Sequence, residues 1–412
     1  MRMRGMRDEP AATWPARPDA AASLPFALVS GRETLIGRGC LGRLDPGAAP
    51  VQARVRDYFA ARPDGPRVLV GALPYDMAAP AYLFQPAELT RLAGRSPLAQ
   101  TLQSAFPAAP PAAARDTLPA PHWRVMAEPT LPAYRAAVAA ALEKMADGED
   151  DLRKIVLSRS LRLAADRPID ARALLRILAR DESVTTFCVP VSGAEGDGAF
   201  IGATPELLIS KRGEAILSHP LAGSARRHAD PALDRAAAQA LAVSEKDGRE
   251  HRAVVEAILD QLAPYCLELG TPEGTQITST ATMWHLGTRI AGRLRDPALS
   301  SLELAALLHP TPAVCGTPRP AAARLIAELE GYDRGFYAGA VGHCDEAGDG
   351  AWHVAIRCAR IAGGEARLYA GAGIVPGSDP IAEGEETSAK FAALLQAFGI
   401  DEDGRPLEEK VP

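Results

Sequence analysis

The chain has no CxxC pair. Its six cysteines, Cys40, Cys188, Cys266, Cys315, Cys344 and Cys358, are scattered through 412 residues. In a chain this long that pattern excludes a disulfide framework and predicts reduced thiols in a cytoplasmic protein. A zinc site from His343, Cys344, His353 and Cys358 is disfavoured, because adjacent strand residues point to opposite faces. No Lys/Arg-dense stripe occurs, and 45 basic against 51 acidic residues leave a net charge of −6. That argues against a nucleic-acid partner. An anionic ligand would have to be attracted locally, by a metal ion or a few placed cations. No apolar run approaches the roughly 20 residues of a membrane helix. Residues 1–22 carry Arg2, Arg4 and Arg7 but lack the apolar segment of a secretory signal, so a disordered tail is expected there. No repeat of fixed period is visible.

What is present is an ordinary globular composition, 47% hydrophobic and 23% charged, in a chain long enough to bury a substantial core. The Pro- and Ala-rich segment Phe106–His122 cannot be regular structure and reads as a connection. On that basis 23–120 is the N-terminal part of the fold, 121–400 holds every chemical signal, and 401–412 is a tail. Tyr134–Met145 predicts a helix with Tyr134, Val138 and Leu142 on its buried stripe. Lys154–Leu163 predicts a strand, with Ile155, Leu157, Leu161 and Leu163 on one face and Lys154, Val156 and Ser158 on the other. Phe200–Arg227 predicts two strands about a turn at Arg212-Gly213, and Phe336–Ile374 a meander of three strands. Ser244–Leu262 and Ile381–Phe398 predict helices. With no βαβ alternation, the class is α+β with large, mainly antiparallel sheets.

Both of those helices carry acids where apolar residues are expected. Glu250 heads the stripe Val254, Ile258, Leu262, and Glu383, Glu386, Lys390 and Leu394 fall near one line. A helix N-terminus facing water would favour glutamate through its dipole, and for either helix alone that explanation suffices. Two such helices point to carboxylates converging on a hard cation, for which Mg²⁺ fits best. In WHVAIRCARI, Arg357 is the one long cation on a small-sided face with His353, Ala355 and Ala359. It is either an exposed strand arginine or a bidentate partner for a carboxylate. The GxG of LYAGAGIVPG is no dinucleotide motif, since Pro376 stands where a helix would propagate. Its glycines are expected to let backbone N–H groups approach an anion. His285, in TMWHLGT, reads by default as a core or capping histidine.

Ten segments in order, KIVLSRS, GATPELLIS, HPLAGSARR, SEKDGREH, TMWHLGT, LHPTPAVCGTP, AGAVGHC, WHVAIRCARI, YAGAGIVPGSDP and EGEETSAK, resemble the chorismate-utilising enzymes. The isochorismate synthases of siderophore pathways are the members they resemble most. The likeness spans about Tyr134 to Gly399. It implies a single domain of two large stacked antiparallel sheets with helices outside and the active site in the cleft. It implies Lys154 as the base that activates water, made neutral by burial and neighbouring positive charge, and Glu206 as the acid that protonates the departing hydroxyl. Glu250 and Glu386 match Mg²⁺ ligands, with Glu383 assisting directly or through water. Arg357 matches the arginine for the enolpyruvyl carboxylate, beside the backbone at Gly371 and Gly373. Lys390 and His285 match cleft-lining positions, and Gly223 and Ser224 the loop under the substrate.

The resemblance also discriminates within the family. Ammonia-using members usually carry glutamine where Lys154 stands, and some place a nucleophilic lysine at the position of Ala222. Water as nucleophile is therefore implied, with chorismate as substrate, no amidotransferase subunit and a monomeric enzyme. Salicylate synthases tend to carry threonine at the position of Ala313, which makes isochorismate synthase the expectation and salicylate synthase the alternative. A menaquinone-pathway isochorismate synthase and a non-catalytic chorismate-binding module are more distant readings.

Overall fold

A computed structural model describes residues 24–47, 50–95, 122–193 and 196–407. The expected tail 1–22 and most of the Phe106–His122 connection lie outside the described residues. Two large antiparallel sheets dominate. The larger runs, in spatial order, Gly316–Thr317, Lys154–Ala165, Glu365–Ile374, Cys358–Ala362, Gly196–Thr204, Thr185–Gly193, Phe26–Val29, Glu33–Arg38 and Glu88–Ala93, with Trp123–Glu128 also beside Lys154–Ala165. The second orders Cys266–Gly270, Ile290–Leu294, Ala215–His219, Leu207–Arg212, Gly350–Val354, Ala340–Asp345, Val68–Leu73, Tyr82–Gln85 and Gly42–Arg43. A small third sheet joins Leu221–Arg226, Met283–Thr288 and Thr275–Ser279. N-terminal strands are built into both large sheets.

The layers follow from strand alternation. Phe26, Leu28, Phe187, Val189 and Phe200 of the larger sheet share a central core with Leu69, Ile209, Trp352 and Val354 of the second. Their neighbours Ala27, Cys188, Ala199 and Ile201 pack instead with helices Ala171–Leu178 and Pro380–Phe398. A sheet covered on both faces buries consecutive residues, which is why FALV is buried throughout. Helices Leu131–Ala146 and Arg319–Glu330 cover Ile155, Leu157, Ala372 and Ile374.

Capping sets where the acid-bearing helices begin. The Ser244 hydroxyl accepts the Asp247 N–H at 3.2 Å and starts Glu245–Leu262. The Asp379 carboxylate accepts the N–H groups of Ile381 and Ala382, with Pro380 in the first turn, and starts Pro380–Phe398. Val254, Ile258 and Leu262 form the buried stripe below Glu250, as expected.

Three expectations are corrected. The first helix buries Tyr134, Val138 and Ala141, with Leu142 half-buried, because the stripe drifts at 3.6 residues per turn. Phe200–Arg227 is not two strands but parts of four, distributed over all three sheets: Pro205 and Pro220 lie at the breaks, while the turn at Gly213 (φ +59°) is where expected. Phe336–Ile374 likewise holds four strands, two in each large sheet. The chain crosses between sheets after Val354, so WHVAIRCARI is two strands and a crossing rather than one alternating run.

Candidate active site

The site is built on those crossings. Glu206 lies between Thr204, the end of a strand in the larger sheet, and Leu207, the start of one in the second. Arg357 lies on the return crossing, between Val354 and Cys358. The two crossings are stitched together: the Val354 N–H donates to the Glu206 carbonyl at 3.1 Å, and the Ala203 N–H to the Arg357 carbonyl at 3.0 Å. Arg357 has φ +51°, a left-handed conformation costing a non-glycine residue on the order of 1–3 kcal/mol. That turn takes the guanidinium off the strand face on which the alternation placed it and into the cleft. The exposed-strand reading falls, since Arg357 is buried.

One cleft is lined by Glu206, Gly223, Ser224, Glu250, His285, Ala313, Arg357, Gly371, Gly373, Glu386 and Lys390. Lys154 and Glu383 stand just behind this lining. Sequence reasoning missed the other walls, Val156, Pro205, Leu221, Ile356 and the parallel-stacked rings of Tyr337 and Tyr369, whose centroids are 4.8 Å apart. Nothing in the pattern of FYAG or RLYAG marks these tyrosines, because their stacking joins a loop to a distant strand.

Charge is arranged in pairs. Lys154 Nζ, 2% exposed, is 2.9 Å from Glu250 Oε1. Lys390 donates to Glu386 Oε1 at 2.6 Å and to the Gly371 carbonyl at 2.8 Å, and Lys246 donates to Glu383 Oε1 at 2.7 Å. The direct neighbour of Lys154 is thus a carboxylate, not the positive charge expected. Gly373 explains how they meet: a β-carbon there would collide with the Glu250 carboxylate and crowd Lys154 Cε.

Glu206 differs from the other acids. Burial pushes its carboxyl up from the ordinary carboxylate range to about 8, against smaller opposing effects of Lys154, Lys390 and a hydrogen bond from the Leu221 backbone. It therefore holds a proton at neutral pH. In the unfolded chain the same group ionises near 4.5, so folding stability should fall by about 1.4 kcal/mol per pH unit between those two values. We expect Glu206→Gln, which cannot ionise, to remove that slope. Unfolding measured from pH 5 to pH 9 should show the variant gaining on wild type as pH rises; parallel curves would contradict a proton on Glu206.

His285 and Arg357 form a second coupled pair. The Arg357 guanidinium only donates, so its 3.3 Å contact with His285 Nε2 makes that nitrogen the acceptor and places the ring proton on Nδ1, 3.2 Å from Ser224 Oγ. Burial, reinforced by Arg357 and Lys390, holds His285 neutral. Burial also lowers Arg357 to about 10, which leaves it charged near neutrality. The guanidinium is aimed by a neutral base and keeps its charge for a ligand. Gly223, at φ +74°, bends the strand beside Ser224 where a side chain would meet Asp247.

Whether Mg²⁺ suits these residues turns on the acids. Glu250 and Glu386 face the cleft and Glu383 lies one helical turn behind, a set of hard oxygen donors. Burial raises the Glu383 carboxyl and the nearby Glu386 charge raises it further; Asp247 is raised by burial and by both Glu250 and Glu386. Carboxylates that crowd one another in this way suit a divalent cation in kind. As placed, Glu250, Glu386 and Glu383 are each engaged by a lysine, and among the described residues no three His, Cys, Asp or Glu side chains form a group that could hold a metal ion.

A cleft with a buried acid, a desolvated arginine and a glycine wall, set between two stacked antiparallel sheets, has the parts of an active site. A family model described as chorismate binding enzyme matches residues 96–399. The chain is 38% identical to isochorismate synthase EntC of Escherichia coli over 91% of this chain and 95% of that protein. It is 49% identical to isochorismate synthase DhbC of Bacillus subtilis over 65% and 68%. A solved structure of DhbC from Bacillus anthracis superposes with a TM-score of 0.81 at 38% identity, covering 92% of this chain and 97% of that one. The chain belongs to the chorismate-binding enzyme family. No helix among the described residues is long and apolar enough to cross a membrane.

Proposed function

We propose that this cleft converts chorismate to isochorismate, in the cytoplasm and as a monomer, for biosynthesis of a catechol siderophore (2,3-dihydroxybenzoate) or of salicylate. The observation that carries the reading is the buried carboxyl of Glu206, held protonated up to about 8 in the same cleft as the arginine. Expelling the C4 hydroxyl requires a proton donor, and few carboxyl groups hold a proton at neutral pH. In the proposed reaction, water bonds to ring C2 and gives a proton to Lys154. The ring double bonds shift, and the C4 hydroxyl leaves as water with the proton of Glu206. Arg357 takes the enolpyruvyl carboxylate, aimed by His285 and Ser224, with the backbone at Gly371 and Gly373 beside it. Lys390 holds Glu386 and lines the same wall. Glu250 and Glu386 would hold Mg²⁺, with Glu383 assisting directly or through water; when bound, the ion supplies positive charge for the ring carboxylate.

Ala313 supports isochorismate rather than salicylate as product. Elimination of pyruvate requires the side chain to fold over the ring and collect the C2 hydrogen. A methyl group at 313 leaves that side chain free to relax, where a β-branched threonine would restrict it. Chromatography of the reaction with chorismate, Mg²⁺ and no added lyase should show isochorismate, no salicylate and no response to glutamine or ammonia. Ala313→Thr should raise salicylate at the expense of isochorismate. Salicylate and pyruvate as the main early products of wild type would overturn the reading.

A further inference from the structure

The Lys154 strand has an interrupted edge. On the side away from Glu365–Ile374 it pairs with Gly316–Thr317 at residues 154–155 and with Trp123–Glu128 from residue 160 onward. The Val156 carbonyl and the Ser158 N–H fall in the gap between those two strands. A buried backbone group without a partner is costly, so something must fill the gap. A buried ion pair from outside the sheet does so. Arg334 donates to the Val156 carbonyl at 2.7 Å, and Glu330 Oε1 accepts the Ser158 N–H at 2.7 Å.

The same pair holds a second part of the site. Arg334 donates through its other terminal nitrogen to the Val314 carbonyl at 2.8 Å, one residue after Ala313. Its guanidinium is closed onto Glu330 by two further bonds, Nε to Oε2 at 2.8 Å and a terminal nitrogen to Oε1 at 2.5 Å. Both side chains are 2% exposed. Glu330 Oε1 also accepts the Ser158 hydroxyl at 2.7 Å. Resting on the functional reading above, we propose that Glu330 and Arg334 are positioning residues, a buried clamp that replaces a missing strand and fixes the backbone of Lys154 against the loop of Ala313. Neither touches substrate. A stack of hydrophobic residues could fill the volume but could not satisfy a carbonyl on each of two segments and an amide at once. Arginine is suited to this because its donors form a rigid planar fork, whereas lysine offers one nitrogen on a flexible stem.

The test is Arg334→Lys, which keeps the charge and the pairing with Glu330 but cannot reach both carbonyls. Turnover per folded enzyme, KM for chorismate, melting temperature and hydrogen exchange of peptides covering 154–160 and 311–316 are compared with wild type at room temperature. Small displacements of catalytic groups cost rate steeply, so kcat should fall at least about tenfold with KM within about threefold. Exchange should quicken in both peptides together. A purely structural role would lower the melting temperature and leave kcat of the folded enzyme and the exchange of 311–316 unchanged, which would overturn the proposal. Should Arg334→Lys fail to fold, Ser158→Ala decides, with Tyr332→Phe as its control: it removes the hydroxyl bonds to Glu330 and to the Tyr332 hydroxyl at 2.6 Å, and kcat should drop about two- to fivefold at unaltered KM while Tyr332→Phe stays at wild-type kcat. Wild-type kcat in Ser158→Ala would also overturn the clamp. A wild-type enzyme that makes no isochorismate would sink the functional reading instead, and the exchange pattern would still decide the clamp.

Discussion

Lys154→Ala should lower kcat by about 10²–10⁴-fold while KM for chorismate stays within about threefold. Lysine acts on water in the transition state, whereas the proposed substrate contacts come from Arg357, Lys390 and the glycine strand. The loss should be large because the nearest other base, the Glu250 carboxylate at 2.9 Å, is in this reading a ligand of the metal ion. His285 is held neutral in the same cleft, but its Nε2 lone pair faces Arg357 and its proton lies toward Ser224. Glu206→Gln should be impaired to a comparable degree for the opposite reason, since an amide cannot protonate the departing hydroxyl. Wild-type activity should itself decline as pH rises through about 8, where Glu206 loses its proton. Steady-state kinetics of the two variants and a pH profile of wild type check this. A Lys154→Ala enzyme within roughly threefold of wild type would remove lysine from the mechanism.

The second large effect concerns the acidic side of the cleft. Chelation should abolish turnover and added Mg²⁺ should restore it. Glu386→Gln should weaken Mg²⁺ and chorismate binding together, because Glu386 would hold the ion and the ion would supply positive charge for the ring carboxylate. The variant also removes the negative charge 2.6 Å from Lys390, although the amide oxygen can still accept its bond, so a loss confined to catalysis is not expected. Calorimetric titration with Mg²⁺ in the absence of chorismate separates the two effects, since ion binding needs no turnover. Full activity in excess chelator, or unaltered Mg²⁺ affinity in Glu386→Gln, would remove these glutamates as ligands.

Much of the architecture was legible because one-dimensional periodicity carries it. The alternation of KIVLSRSLRL put Ile155, Leu157, Leu161 and Leu163 on one face, and the strand shows them so, with its end extended to Ala165. The i+4 steps below Glu250 gave the correct buried stripe. Periodicity failed where the chain changes sheets. Nothing in WHVAIRCARI announces that Arg357 takes φ +51°, because that conformation is imposed by two sheets meeting and not by the arginine's own preference. The division of 200–227 among three sheets was hidden for the same reason, although Pro205 and Pro220 were visible as breaks.

The sequence by itself determined the class of fold, the two acid-bearing helices and, through ten ordered segments, the family and its candidate site residues. Local spacing is enough for these, since each rests on residues within one element or on an order along the chain. Only the tertiary structure decided the electrostatics. Glu206 holds its proton because crossings from two sheets bury it, and Lys154 meets a carboxylate because a glycine on the neighbouring strand leaves room for Glu250. Tertiary structure also decided that Glu330 and Arg334, unremarkable as a helix end and a loop residue, fill a gap in the sheet beside the proposed base. Charge state and backbone satisfaction depend on what surrounds a group in three dimensions, and no spacing along one strand or helix contains that information.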